Sequence, residues 1–360
     1  MSRKKAKEIP SDTTDSKPPV QPAAAPSPPF APAPPTGLDL STIQAPSIAE
    51  VAAQGITAPP PVVVPTTQAD LLRVISESLG PNGTLEKHIE RDEIARKYMQ
   101  EIMDAHPISS QYNILIIHDE TRMMKTDADN VYSAIQGFKT RKPILLMIYS
   151  SGGSIESAYL IGKLCREHCK DKFVVAVPRE AKSAATLLCC AADEIHMGSF
   201  SELGPIDPQI NEMPALGLKS TVEHLAELVK THPEAADMFA KYLSYSIKPV
   251  EIGYYERVAE SAMQYAEILL NLHQANLMHP AEKTATELVY KYKDHGFVID
   301  KSEATNIFGA KIVKINSDEY NLGNALYQAL AAIRKYASWM NHSFWFIGTP
   351  ESKGVYWKRK

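Results

Sequence analysis

Three apolar runs, each closed by turn-forming residues and followed by a helical pattern, constrain this chain most. They are Tyr112-Asn-Ile-Leu-Ile-Ile-His118, Pro143-Ile-Leu-Leu-Met-Ile-Tyr149 and Phe173-Val-Val-Ala-Val177. Strands this apolar are covered on both faces. Strands alternating with helices make a parallel sheet with right-handed crossovers. The intervening patterns predict helices over 127–138, 154–168 and 183–192, with Thr126 or Asp127 capping the first, and a further short strand over 194–197. The fold class is therefore α/β. Open sheets of this kind bind ligands beyond the C-terminal ends of their strands. Two turns stand there: Ser150-Ser-Gly-Gly153 and Arg179-Glu-Ala-Lys-Ser-Ala-Ala185. One offers glycine N–H groups, the other a serine at a helix start, which together are the minimum for acyl transfer.

The rest of the chain divides around this centre. Residues 1–66 hold fifteen of the 26 prolines, with Ala, Ser and Thr between them. Such a composition buries too little to offset its ordering entropy, so a disordered tether or docking arm is predicted. A helical pair follows over 67–107, broken by Gly80-Pro-Asn-Gly83. The α/β domain is expected over 108–315. Beyond its strands, helices are predicted over 218–229, 233–245, 250–278 and 284–291. A short helix, 302–308, is closed by Gly309, and a late strand spans 310–315. Residues 316–360 read as a final helix, 322–340, and an aromatic, basic tail taken as a loose solvated end.

A net charge of −4 gives no pointer to nucleic acid, and 44% hydrophobic residues suit an ordinary core. No apolar run is long enough to span a membrane, and the basic N-terminus lacks the apolar region of a signal peptide. The four cysteines, Cys165, Cys169, Cys189 and Cys190, are too few for a disulfide framework and imply a reducing, cytoplasmic setting. Cys165, His168 and Cys169 also admit a zinc reading, against which stands the frequency of buried free cysteine. The absence of Gly-Lys-Ser/Thr after Gly152-Gly153 disfavours a nucleotide loop. No metal or organic cofactor is expected.

Ser151-Gly-Gly-Ser154, Ala181-Lys-Ser-Ala-Ala-Thr186, Ala191-Ala-Asp-Glu-Ile195 and Leu203-Gly-Pro-Ile-Asp-Pro-Gln209 resemble the serine dehydrogenase proteinase family. Its kin are the Clp peptidases, signal peptide peptidase A and the crotonases. The resemblance covers about residues 110–315. It implies a crotonase/Clp-peptidase-like ββα superhelix with helical N- and C-terminal additions, a homo-oligomer, and serine peptidase chemistry on a peptide or protein substrate. Carried onto this chain, Ser183 is the nucleophile and Gly152 and Gly153 supply the oxyanion N–H groups. Ser151, Ser154, Pro205 and Asp207 would line the substrate groove. The Clp histidine, some 25 residues past the serine, has no counterpart here. A lysine base of the signal peptide peptidase A kind would be Lys219. A partner ATPase or adaptor is suggested by analogy with Clp peptidases.

Each assignment has a plainer counterpart. Ser183 could be only an N-cap, and Lys219 only a solvated lysine at a helix start. Lys182 should face a carboxylate or solvent, because adjacent side chains diverge. His196 and His295 are alternative bases or structural histidines, and Asp207 could orient a base. A crotonase-type acyl-CoA enzyme and a non-catalytic scaffold of the same fold are the competing functions.

Overall fold

The computed structural model describes residues 68–81, 83–210, 213–246, 249–352 and 355–359. The segment 1–66, with its expected disorder, lies outside them. Two helices come first, α1 (Gln68–Leu79) and α2 (Leu85–Asp104), the second capped by Thr84. The alternating unit follows: β1 (Asn113–Asp119), α3 (Lys125–Gln136), β2 (Ile144–Ser150), α4 (Ile155–His168), β3 (Phe173–Val177), β4 (Glu180–Ala181), α5 (Ala184–Cys189) and β5 (Glu194–Met197). Short strands β6 (Glu202–Leu203), β7 (Gln209–Ile210) and β8 (Met213–Pro214) lead into α6 (Ala215–Thr231), α7 (Ala236–Ser246) and α8 (Pro249–Asn271). Then come α9 (Ala281–Thr286), β9 (Ile299–Asp300), α10 (Lys301–Phe308), β10 (Val313–Ile315), α11 (Asp318–Trp339), β11 (His342–Gly348) and β12 (Val355–Arg359).

The main sheet has the order β10-β5-β3-β2-β1-β11-β12. Its first four pairings, from β10 to β1, are parallel, as the alternating pattern predicts. A small second layer branches off where β2 ends: β4 pairs with β2 at Ser150 and Ala181, then with β6, which pairs with β9. The result is an α/β architecture with a branched sheet, whose strand ends and helix starts converge at one edge.

Alternation along the strands builds two cores, since successive side chains face opposite sides. Leu115 and Ile117 of β1 and Leu146 and Ile148 of β2 pack toward α3, α4, α5 and α8, where the four cysteines are also buried. Ile114, Ile116, Leu145 and Met147 pack toward Leu71, Ile75 and Met99 of the first helices and Leu322, Leu326 and Leu330 of α11. The helical pair and the last helix thus cover one face of the sheet together.

Three expectations change. The aromatic tail is not a loose end: its alternating Phe344 and Phe346 face the second core, and β11 and β12 extend the sheet antiparallel from β1. Thr126 and Asp127 do not cap α3. Met124 stands at the cap, and the Asp127 carboxylate accepts the Met124 N–H at 2.7 Å from inside the first turn. The long helix expected over 250–278 ends at Asn271. Gly309 closes α10 at φ 96°, as its position implied. No described helix is long and apolar enough to cross a membrane.

Leu326 is fully buried in the core that joins α11 to the sheet. Leu326→Ala should lower the unfolding free energy by about 2–5 kcal/mol, read from the urea midpoint at unchanged slope.

Candidate active site

β2 ends in Ser150 and β4 in Ala181, paired side by side. The two turns predicted to matter therefore leave the sheet as neighbours. They touch at Gly152. A Cβ there would lie 2.7 Å from the Lys182 carbonyl oxygen and 2.9 Å from the Ser183 Cβ, and φ is +104°, so only glycine fits. Gly153, φ +150°, is packed as tightly on its other side, where a Cβ would meet the Met123 nitrogen at 2.3 Å. Met123 donates its N–H to Gly152 O at 2.8 Å and accepts from Ser154 N–H at 2.9 Å. This one-residue parallel bridge turns the Gly153 N–H away from Met123. Among the described residues, that N–H has no acceptor.

Gly152 differs from expectation. Its N–H donates to Ser150 Oγ at 3.1 Å, because the turn folds back on the serine two residues earlier. A donor that the sequence reading missed is Ala184. Its N–H opens α5, where helix geometry leaves the first amides unpaired, and a Cβ on Gly152 would stand 3.1 Å from its nitrogen. The signal was available: the residue after the turn serine begins the helix.

Ser183 occupies the N-cap position of α5, but its side chain makes no cap hydrogen bond. Its φ of 51° and ψ of −116° are costly for a residue with a Cβ, on the order of 1–3 kcal/mol. A strained strand-to-helix turn holding an uncapped hydroxyl is what a nucleophile needs and a helix cap does not. Ser183 opens into a cleft of about 660 Å3 that Gly152, Gly153, Ser151, Ser154 and His295 also line.

The remaining predicted residues divide. Ser151 Oγ donates to the Glu120 carbonyl at 3.2 Å, and Ser154 caps α4 through Ser157 N–H, so both border the cleft with structural duties. Pro205 is buried rather than on the groove. Gly204 N–H, bound to Thr186 Oγ1 at 3.2 Å, and Ile206 N–H, bound to Leu288 O at 2.9 Å, draw the loop inward, and Pro208 and Gln209 form the cleft wall instead. Asp207 is buried beside His295, Oδ2 to Nδ1 3.5 Å. Lys219 falls in the first turns of α6, and its side chain lies outside the described residues.

Lys182 points away from Ser183. Its Nζ meets Glu202 Oε2, Leu203 O and Phe297 O, each at 3.4 Å. His196 is structural. It is buried between β5 and α11, hydrogen-bonded to Ser317 Oγ, with Glu194 at 3.3 Å and Glu319 at 3.5 Å. The His196 hydrogen bond, helped by Lys172 at 2.8 Å, holds the Glu194 carboxyl down at about 2 against the opposing cost of burial.

With this geometry in view, residues 101–237 match the model of a family described as ClpP-like SDH-type serine proteinase. The matched stretch of this ClpP-like proteinase family runs from α2 to α7 and includes both turns. Two uncharacterised proteins of Methanocaldococcus jannaschii are similar to the chain. One is 37% identical over 97 residues, 27% of this chain and 34% of its own length. The other is 36% identical over 92 residues, 26% and 31% respectively. The chain thus spans about a third of the curated relatives it matches. Among solved structures, a serine-to-alanine mutant of the 1510-N membrane-bound stomatin-specific protease aligns with a TM-score of 0.36 at 11% identity, over 57% of this chain and 80% of that one. A lysine-to-alanine mutant of the same protease, in complex with a substrate peptide, aligns at 0.35 and 12%, over 57% and 76%.

Two outcomes follow. Gly152→Ala must push the Ser183 turn aside, so Ser183 reactivity toward an acylating or phosphonylating probe should fall at least about tenfold, a loss of the kind that small misplacements cause. Glu194, depressed in the folded state from about 4.3 in the unfolded chain, stabilises the fold fully above that value and loses the contribution as pH falls from about 4 to about 2. Melting temperature against pH should show that slope in the wild type and a flatter one in Glu194→Gln.

Proposed function

We propose that the chain is a serine peptidase acting through an acyl-enzyme. The observation that carries this is Ser183. It is held at φ 51° with an uncapped hydroxyl, in one cleft with the unspent N–H of Gly153. Ser183 Oγ attacks the scissile carbonyl. The Gly153 and Ala184 N–H groups receive the developing oxyanion, where each such donor is worth about 10²–10³ in rate. Gly152 acts by shape, letting the two turns meet. In the dyad form of this chemistry Lys219 takes the serine proton and returns it to the leaving amine, which requires desolvation to lower its pKa.

The substrate is a peptide or an unfolded protein segment, the class that serine peptidase chemistry acts on, received in the cleft of about 660 Å3 that Ser183 lines. Self-association belongs to the same proposal. Its support is α6 and α7, where no described residue is buried and Met238, Tyr242 and Tyr245 are exposed. An ATPase or adaptor that feeds substrate stays an analogy to the Clp peptidases.

Intact-mass detection of a fluorophosphonate adduct tests the proposal. One adduct on the wild type, none on Ser183→Ala, and cleavage of denatured casein by the wild type alone are expected. An unlabelled wild type that also leaves casein intact would sink it in favour of the scaffold or acyl-CoA alternatives.

A further inference from the structure

The proton leaving Ser183 needs a base, and the described side chains around the cleft offer few. Glu120 is committed to Tyr149 OH at 2.7 Å and to Arg334. Glu156 accepts the Ser154 hydroxyl at 2.7 Å. The remaining candidate is an imidazole. His295 lines the cleft with Ser183. Its Nδ1 is buried, has no hydrogen-bond partner, and lies 3.5 Å from Asp207 Oδ2. Asp207 is 7% exposed, and its Oδ1 is also buried without a partner.

Buried polar atoms left unpaired side by side call for an explanation. A base and its orienting carboxylate in a substrate-free site supply one, because such contacts are often long until substrate closes them. With Nδ1 buried toward Asp207, Nε2 is the nitrogen left to serve the cleft that His295 lines. We propose that His295, held by Asp207, is the general base and acid for Ser183 in place of Lys219. This assignment rests on the peptidase reading above.

The fold holds the three residues in register. Thr186, one turn into the helix that Ser183 starts, has its one hydroxyl proton within reach of Ala181 O at 2.7 Å and Gly204 O at 2.8 Å, and its Oγ1 accepts the Gly204 N–H at 3.2 Å. It thereby locks the loop carrying Asp207 to the nucleophile's helix. The His295 loop is built on Asp294, whose Oδ1 accepts Gly296 N–H at 3.0 Å and whose carbonyl accepts Phe297 N–H at 3.0 Å. Phe297 packs on Tyr292, ring centroids 4.5 Å apart. Its carbonyl takes the Lys182 ammonium, so the residue before the nucleophile also tethers the loop bearing the base.

The chemistry balances without a co-reactant beyond water. As Ser183 Oγ bonds to the carbonyl carbon, its proton passes to His295 Nε2 and the carbonyl π-electrons move onto the oxygen. The imidazolium then protonates the leaving nitrogen as the C–N bond breaks. Water adds to the acyl-enzyme, giving its proton to the same nitrogen, and the ester bond to Ser183 breaks with return of that proton. Asp207 is a positioning residue that fixes the ring and favours the Nδ1–H tautomer.

The test is the rate of fluorophosphonate labelling of Ser183 in the full chain, with folding checked by melting temperature. His295→Ala and His295→Gln should both slow labelling by about 10²–10⁴-fold. Imidazole at tens of millimolar should recover part of the loss in His295→Ala but none in Ser183→Ala. Asp207→Asn should lower the maximal rate at least about tenfold with an unchanged half-saturating concentration. His232→Ala, an exposed histidine elsewhere, should label like the wild type. Wild-type rates in both His295 variants, or losses that imidazole does not repair, overturn the assignment while leaving the nucleophile in place. A wild type that takes no label overturns the peptidase reading and this assignment with it.

Discussion

An added Cβ at Gly153 would sit 2.3 Å from the Met123 nitrogen, and one at Gly152 would sit 2.9 Å from the Ser183 Cβ. At this crossing main chain packs on main chain, with no room for side chains. Everything else at the site is arranged around that contact. The Met123 bridge aims the Gly153 N–H, and the pairing of Ser150 with Ala181 sets the two turns side by side. The φ of Ser183, at 51°, then presents its hydroxyl to the space between them. The strain is sustained because α5 beyond it is wholly buried and cannot shift to relieve it.

The charges near Ser183 are arranged to stay out of its way. Lys182 could have been a competing cation beside the nucleophile. Instead Glu202 draws it to the opposite side, where Arg179 also reaches the same carboxylate at 2.6 Å. Among the described residues, the cleft beside Ser183 is lined by the glycine turn, by Ser151 and Ser154 and by the imidazole of His295, with Glu120 and Glu156 engaged by other partners. That setting suits main-chain dipoles acting on a developing negative charge, since fixed dipoles need no reorganisation during the reaction.

Much of this was legible in the residues because local pattern and tertiary role agreed. Runs such as Ile144–Tyr149 are apolar on every position and could only be strands covered on both faces. Gly152-Gly153 and Ser183 stood out as turns at strand ends. The misreadings have physical causes. Phe344 and Phe346 alternate with half-buried neighbours, a pattern too short to tell a strand from a polar tail until its partner β1 is known. Pro205 looked exposed because turn formers usually are, whereas here Thr186 and Leu288 pull its loop inward. The pairing of His295 with Asp207 was out of reach, since residues 88 positions apart meet only through the second layer of the sheet. The spending of the Gly152 N–H on Ser150 depends on one side-chain rotamer, which sequence does not carry.

The hairpin of β11 and β12 has a consequence for how the molecule comes into being. Ile116 pairs with Gly348, so one flank of β1 stays unsatisfied until nearly the whole described chain has been synthesised. During that interval a largely apolar strand presents open amides and carbonyls to solvent or to other nascent chains, the condition under which edge-to-edge association begins. The late-arriving hairpin is thus a seal. Until it docks, newly made copies should depend on chaperones that shield such edges more than finished molecules do.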